Sequence, residues 1–104
     1  MSQILSDISI TKSPLRRLFR PYTILIMKTL EKYENGVSFQ QLKKQFNLTD
    51  GNLATYLKSL ENQKYVKFYK ITEGHKTKTF YHLTEEGKEI LKKFTNHLLR
   101  ILNS

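Results

Sequence analysis

Apolar positions in this 104-residue chain recur with a helical period up to about residue 63, shift to a period near two, and become helical again from about residue 85. A first helix is predicted over 21–32, opened by Pro21, whose missing N–H is not needed in a first turn. Tyr22, Ile24, Leu25, Ile26, Met27, Leu30 and Tyr33 cover most of its circumference, so it reads as central or as shared with a second subunit. "YENG" ends it, with Gly36 supplying a left-handed turn. Ser38 and Gln41 have capping-box spacing, and a short helix to about Phe46 should bury Phe39, Leu42 and Phe46. After the tight connection Asn47, Leu48 and Thr49, a third helix runs to about Gln63, capped by Thr49 and anchored by Leu53, Leu57 and Leu60.

Beyond Tyr65 the period of two sets Val66 with Phe68, and Lys67 with Tyr69 and Ile71. A second strand over 79–83 puts Tyr81 with Leu83, and "TEGHKTK" between the two reads as a hairpin loop longer than the tight two-residue kind. Thr84 caps a last helix, with Glu85 and Glu86 near the positive end of its dipole. Leu91, Phe94, Leu98 and Ile101, spaced three, four and three apart, give the narrow seam of a helix pair and mark a dimerisation surface. The expected order is helix, helix, helix, hairpin, helix: a mostly α member of the α+β class. Residues 1–20 form an arm with a candidate part in dimerisation, 21–84 the main domain and 85–104 the dimerisation helix. In the first dozen residues helical and strand-like spacings are mixed, and neither is chosen.

The charge balance narrows the partner. Eighteen Lys plus Arg against nine Asp plus Glu leave a net charge of +9, a field that draws polyanions and weakens with salt. Nucleic acid is the first candidate and an anionic membrane surface the second. The longest apolar run, 24–27, is far short of the ~20 residues that cross a bilayer, so a membrane partner is not expected and a cytoplasmic protein is. Without cysteine there is no disulfide, thiolate–metal or thiol chemistry, and His75, His82 and His97 are too scattered to hold a metal. Neither metal nor cofactor is expected. The carboxylates are dispersed, and the four glycines are single, so no catalytic constellation or phosphate-cradling loop is legible.

The stretch "FNLTDGNLATYLKSLENQKYVKFYK" followed by "KTFYHLTEEGKEIL" resembles the small winged helix-turn-helix transcriptional regulators of bacteria and archaea related to the MarR and ArsR groups. The likeness covers roughly 21–91. It implies a winged-helix fold in which the helix at 50–63 enters the major groove of double-stranded DNA, the wing flanks it, and terminal helices form a homodimer. The cysteine-rich sites of metal-sensing members have no counterpart here.

Asn52, Thr55, Tyr56 and Lys58 are then the candidate readers. An asparagine can pair with adenine, a threonine can bond a base or a phosphate, a tyrosine can meet a thymine methyl, and a lysine can neutralise a phosphate. On the wing, His75, Lys76 and Lys78 are candidates for the backbone or minor groove, and Lys43 and Lys44 can touch backbone from the preceding helix. Lys67 and Lys70 serve DNA contact and edge protection equally well. Arg16, Arg17, Arg20 and Arg100 all lie outside the reading helix, so the arginine fork for guanine is missing there and modest discrimination between sites is expected. Two alternatives compete: a winged-helix adaptor that binds protein, and an architectural protein that coats DNA broadly. His97 is expected half-buried with a hydrogen-bond partner, and Gly87 to be tolerated by close packing or by its place at a helix start.

Overall fold

The structure, a computed structural model, describes residues 21–104. The expectations for the arm, including Arg16, Arg17 and Arg20, lie outside the described residues. Among the described residues four helices and three strands follow in the order α1 (Pro21–Lys32), β1 (Val37–Ser38), α2 (Phe39–Phe46), α3 (Asp50–Asn62), β2 (Val66–Glu73), β3 (Lys76–Leu83) and α4 (Glu85–Leu102). The winged-helix plan is therefore present.

Each cap acts where the sequence places it. The Gln41 amide donates to Ser38 Oγ (3.1 Å) while the Ser38 amide donates to Gln41 Oε1 (2.9 Å), closing the box that starts α2. Thr49 Oγ1 accepts from the Asn52 amide (3.1 Å), and Thr84 Oγ1 from the Gly87 amide (3.0 Å). Gly36, at φ +97, takes the left-handed conformation that its turn requires.

Leu53, Leu57 and Leu60 of α3 are buried with Ile26, Met27 and Leu30 of α1, Leu42 of α2, Val66, Tyr81 and Leu83 of the sheet, and Leu91 and Phe94 of α4. Several positions depart from expectation. α1 is one-sided: Thr23 and Thr29 share its buried face with Ile26, Met27 and Leu30, whereas Leu25 is 47% exposed. Thr29 is accommodated because its hydroxyl donates to the Leu25 carbonyl (2.9 Å) and accepts from Gln45 Nε2 (3.3 Å). Phe39 and Phe46 are half-buried, because only Leu42 of α2 faces the centre of the core.

The sheet is three-stranded, with β3 in the middle. β1 contributes two pairings, Val37↔Tyr81 and Ser38↔Phe80, and β2 pairs with β3 from Val66↔Leu83 to Glu73↔Lys76. The last pairing leaves only Gly74 and His75 in the turn, so the expected long loop is not formed and β3 begins three residues earlier than predicted. Gly74 is at φ +61 and His75 is not at positive φ, as a II′-type turn with glycine first demands. A Thr72–Thr77 hydroxyl contact of 3.1 Å holds the second rung from the tip.

Gly87 is where α4 leaves the sheet at close quarters: a Cβ there would stand 2.8 Å from Leu83 Cδ1 and closer still to the Tyr65 carbonyl oxygen. Close packing is the reason for the glycine. His97 is half-buried, and its Nε2 has no hydrogen-bond partner, contrary to expectation.

Candidate nucleic-acid interface

The turn into α3 is made by Asn47 in the left-handed conformation (φ 51), followed by the Leu48 amide donating to the Lys43 carbonyl (3.1 Å). It sets α3 against α2 so that the leucine stripe of α3 is closed and its opposite side is open. Asn52, Thr55 and Lys58 are all exposed, and nothing stands within 4 Å of where a Gly51 side chain would begin. Thr55 Oγ1 donates to the Gly51 carbonyl of its own helix (2.9 Å).

Tyr56 differs from the other three. It follows Leu53 by three positions and precedes Leu60 by four, which puts it on the flank of the buried stripe. It is half-buried, its ring 5.5 Å from that of Tyr22, and Tyr22 in turn meets Phe46 edge-on at 6.4 Å. The three rings tie α1, α2 and α3 together beside the open face.

Charge around α3 comes from its neighbours. Lys43 Nζ lies 2.8 Å from an Asp50 carboxylate oxygen, so it is partly neutralised, whereas Lys44 is exposed and makes no ion pair among the described residues. Near the other end of α3, burial raises the Glu61 carboxyl above the ordinary carboxylate range, with Lys58 opposing the shift. The Tyr81 hydroxyl is raised as well, first by burial and then by Glu61, and Tyr81 shares the buried core with Val66, Leu83 and the α3 leucines, so this face of the sheet is the one turned to α3.

Register decides which wing cations share that face. Side chains alternate across a strand, so Val66, Phe68, Lys70 and Thr72 lie on one side with Leu83, Tyr81, Thr79 and Thr77. Lys67, Tyr69, Ile71 and Glu73 lie on the other with His82, Phe80, Lys78 and Lys76. The α3 side therefore carries Lys70, while Lys76 and Lys78 sit on the outer side and His75 in the turn. An open groove of about 540 Å³ runs between α2 and β3, with Gln40, Gln41 and Lys44 facing Thr77, Lys78 and Thr79 and no carboxylate in its lining. Sequence reasoning gave the groove no role. The signal for it was the capping box, which fixes where α2 begins beside the strand.

Of the proposed dimerisation residues, Leu91 and Phe94 are buried in the core of the protomer itself, and Leu98 and Ile101 are half-buried. Leu99 (50%) and Leu102 (56%), which the seam omitted, are the more exposed apolar groups of α4. Among the described residues no three His, Asp or Glu side chains gather as metal ligands, and no helix is long and apolar enough to cross a membrane.

Residues 23–102 match the family described as winged helix DNA-binding domain. The chain is 35% identical over 63 residues to an uncharacterized protein of Methanocaldococcus jannaschii, a span of 61% of this chain and 68% of that one. A transcriptional regulator homologue protein from Pyrococcus horikoshii OT3 superposes with a TM-score of 0.81 at 30% identity, over 97% of this chain and 95% of that one. A PadR family transcription regulator from Clostridium difficile R20291 follows at 0.68 and 26%, over 79% and 91%. MarR, at 17% identity and a TM-score of 0.76 over 98% of this chain and 74% of its own, shares the fold.

Proposed function

The chain belongs to the winged helix DNA-binding domain family, and from that premise we propose that it is a transcriptional regulator that binds duplex DNA as a homodimer with α3 in the major groove. The observation that carries the reading is the division of α3: Leu53, Leu57 and Leu60 are shut away while Asn52, Thr55 and Lys58 stand open on the other side. A helix with side chains is about 10 to 12 Å across and the groove about 12 Å wide, so Asn52 and Thr55 reach base edges and the longer Lys58 a phosphate. Tyr56 acts at the rim, its ring held by Tyr22. Lys44 and Lys70 take phosphates on either side, Lys43 adds to them when Asp50 releases it, and the His75 tip flanks the duplex. Lys76 and Lys78 belong to the other face of the wing and are not assigned to this duplex.

Salt tests the reading. Lys44, Lys58 and Lys70 from two protomers neutralise six phosphates, so log K against log salt should fall with a slope of about −5. Fluorescence anisotropy with a labelled duplex across a salt series measures it, and a slope near zero would remove the phosphate contacts. With no arginine on α3, discrimination between sites rests on weaker contacts; selection from a random pool should still return half-sites about 10 base pairs apart, whereas an architectural protein would return none.

The dimer reading rests on the apolar strip Leu98, Leu99, Ile101 and Leu102, with Leu25 exposed on α1. α4 has 18 residues and so spans about 27 Å, and its far end presents these side chains. Light scattering should give twice the chain mass of 12.3 kDa, and Leu102→Asp should shift it toward one. A wild-type mass of one chain at tens of micromolar would end the homodimer reading.

A further inference from the structure

The outer face of the wing has no role in the duplex reading, yet it is built as a ladder of four rungs. From base to tip these are Lys67 with His82, Tyr69 with Phe80, Ile71 with Lys78, and Glu73 with Lys76. Its middle is apolar and open: Tyr69 is 38% and Ile71 42% exposed, and the Tyr69 and Phe80 rings are stacked at 5.4 Å and 12°. The Tyr69 hydroxyl donates to the Asn35 carbonyl (2.6 Å), so the stacked pair is held in one orientation before any partner arrives. Ile71, Phe80, Lys76, Lys78 and Glu73 line an open depression of about 380 Å³ next to the rings. Among the described residues neither Lys76 nor Lys78 is in an ion pair, and the two outnumber Glu73, the one carboxylate lining the depression, whereas Lys67 at the base of the ladder shares a separate depression with Glu31, Glu34, Glu85 and Glu86.

Flat aromatic surface interleaved with unpaired lysines suits a partner that offers exposed planar rings on an anionic backbone. Duplex DNA hides its base faces inside the stack, whereas a single strand presents them. We propose that the outer wing face binds single-stranded nucleic acid, with bases laid against Phe80 and Ile71 and phosphates on Lys76 and Lys78. This site is separate from α3, and the two are occupied independently.

The test uses the full chain and anisotropy of labelled oligo(dT) and oligo(U), each of about 15 nucleotides, within the range one such platform covers. Both should bind at low salt. Equal affinity means that the site takes the shared base-and-phosphate chemistry, and a preference for oligo(U) means that the 2′-hydroxyl is also read; either supports the site. Ile71→Glu and Lys76→Glu should each weaken oligonucleotide binding at least ten-fold with duplex binding unchanged, while Thr55→Glu should do the reverse. Circular dichroism checks the fold, and Ile71→Thr, which keeps a strand-forming side chain, replaces Ile71→Glu should that variant unfold. The proposal is overturned if neither oligonucleotide binds, if polyglutamate displaces them equally well, or if the wing variants weaken duplex and single strand alike. Loss of duplex binding alone would strike the α3 reading and leave this one standing.

Discussion

Gly87→Ala is expected to destabilise the protein by about 3 kcal/mol, although alanine is the better helix former by about 1 kcal/mol. The added methyl would be driven into the Tyr65 carbonyl, and a backbone group cannot rotate aside as a side-chain end can. That carbonyl is also fixed in place. It accepts from the Thr84 amide (3.0 Å), while the Tyr65 amide donates to the Leu60 carbonyl (3.0 Å) and the Thr84 hydroxyl to the Lys64 carbonyl (2.6 Å). Moving it would disturb the junction of α3, β2 and α4 together. For a domain of this size the loss corresponds to a fall of about 12 to 24 °C in melting temperature, measurable by circular dichroism. A variant that melts at or above the wild-type temperature would show that α4 slides outward freely.

Thr55→Glu should leave stability within about 0.5 kcal/mol and reduce duplex affinity at least a hundred-fold, about 2.8 kcal/mol. The side chain is exposed, and its one hydrogen bond is to its own helix, at Gly51, so no tertiary contact is lost. In the proposed complex the new carboxylate would face phosphates and the acceptor edges of guanine and thymine, and a two-fold dimer would present it twice. Melting and duplex titration of the same preparation separate the two quantities. Unchanged affinity would move the interface away from α3.

The parts of the fold that were legible in the sequence are those with a local cause. Pro21, the Ser38–Gln41 box and the Thr49 and Thr84 caps are short-range chemistry, and the leucine stripe of α3 repeats often enough to declare its period. β1 was not legible, because two residues carry no period; it exists only because β3 offers an edge. The tip was misread since Lys76, Thr77 and Lys78 look like loop, whereas a two-residue turn at Gly74 brings them into register with β2. Register also sets the face of every wing lysine, and a slip of one residue would exchange the two faces. A helical stripe, likewise, does not say what it meets: Leu91 and Phe94 fit a dimer seam as well as the core in which they are buried. Tyr56 is read from its chemistry as an outward group, whereas its spacing, three after Leu53 and four before Leu60, puts it on the flank of the stripe, where it is half-buried.

The brevity of β1 has a further effect. Its last pairing is at Phe80, so the four rungs from Lys70↔Thr79 to Glu73↔Lys76 are held by two strands alone, with one margin of β3 unguarded. A two-stranded ribbon is marginal in water, so the outer half of the wing breathes at a free-energy cost well below that of global unfolding. The lysines it carries also discourage another chain from zippering onto that bare margin. One short strand thus divides the hairpin into a rigid root and a compliant end.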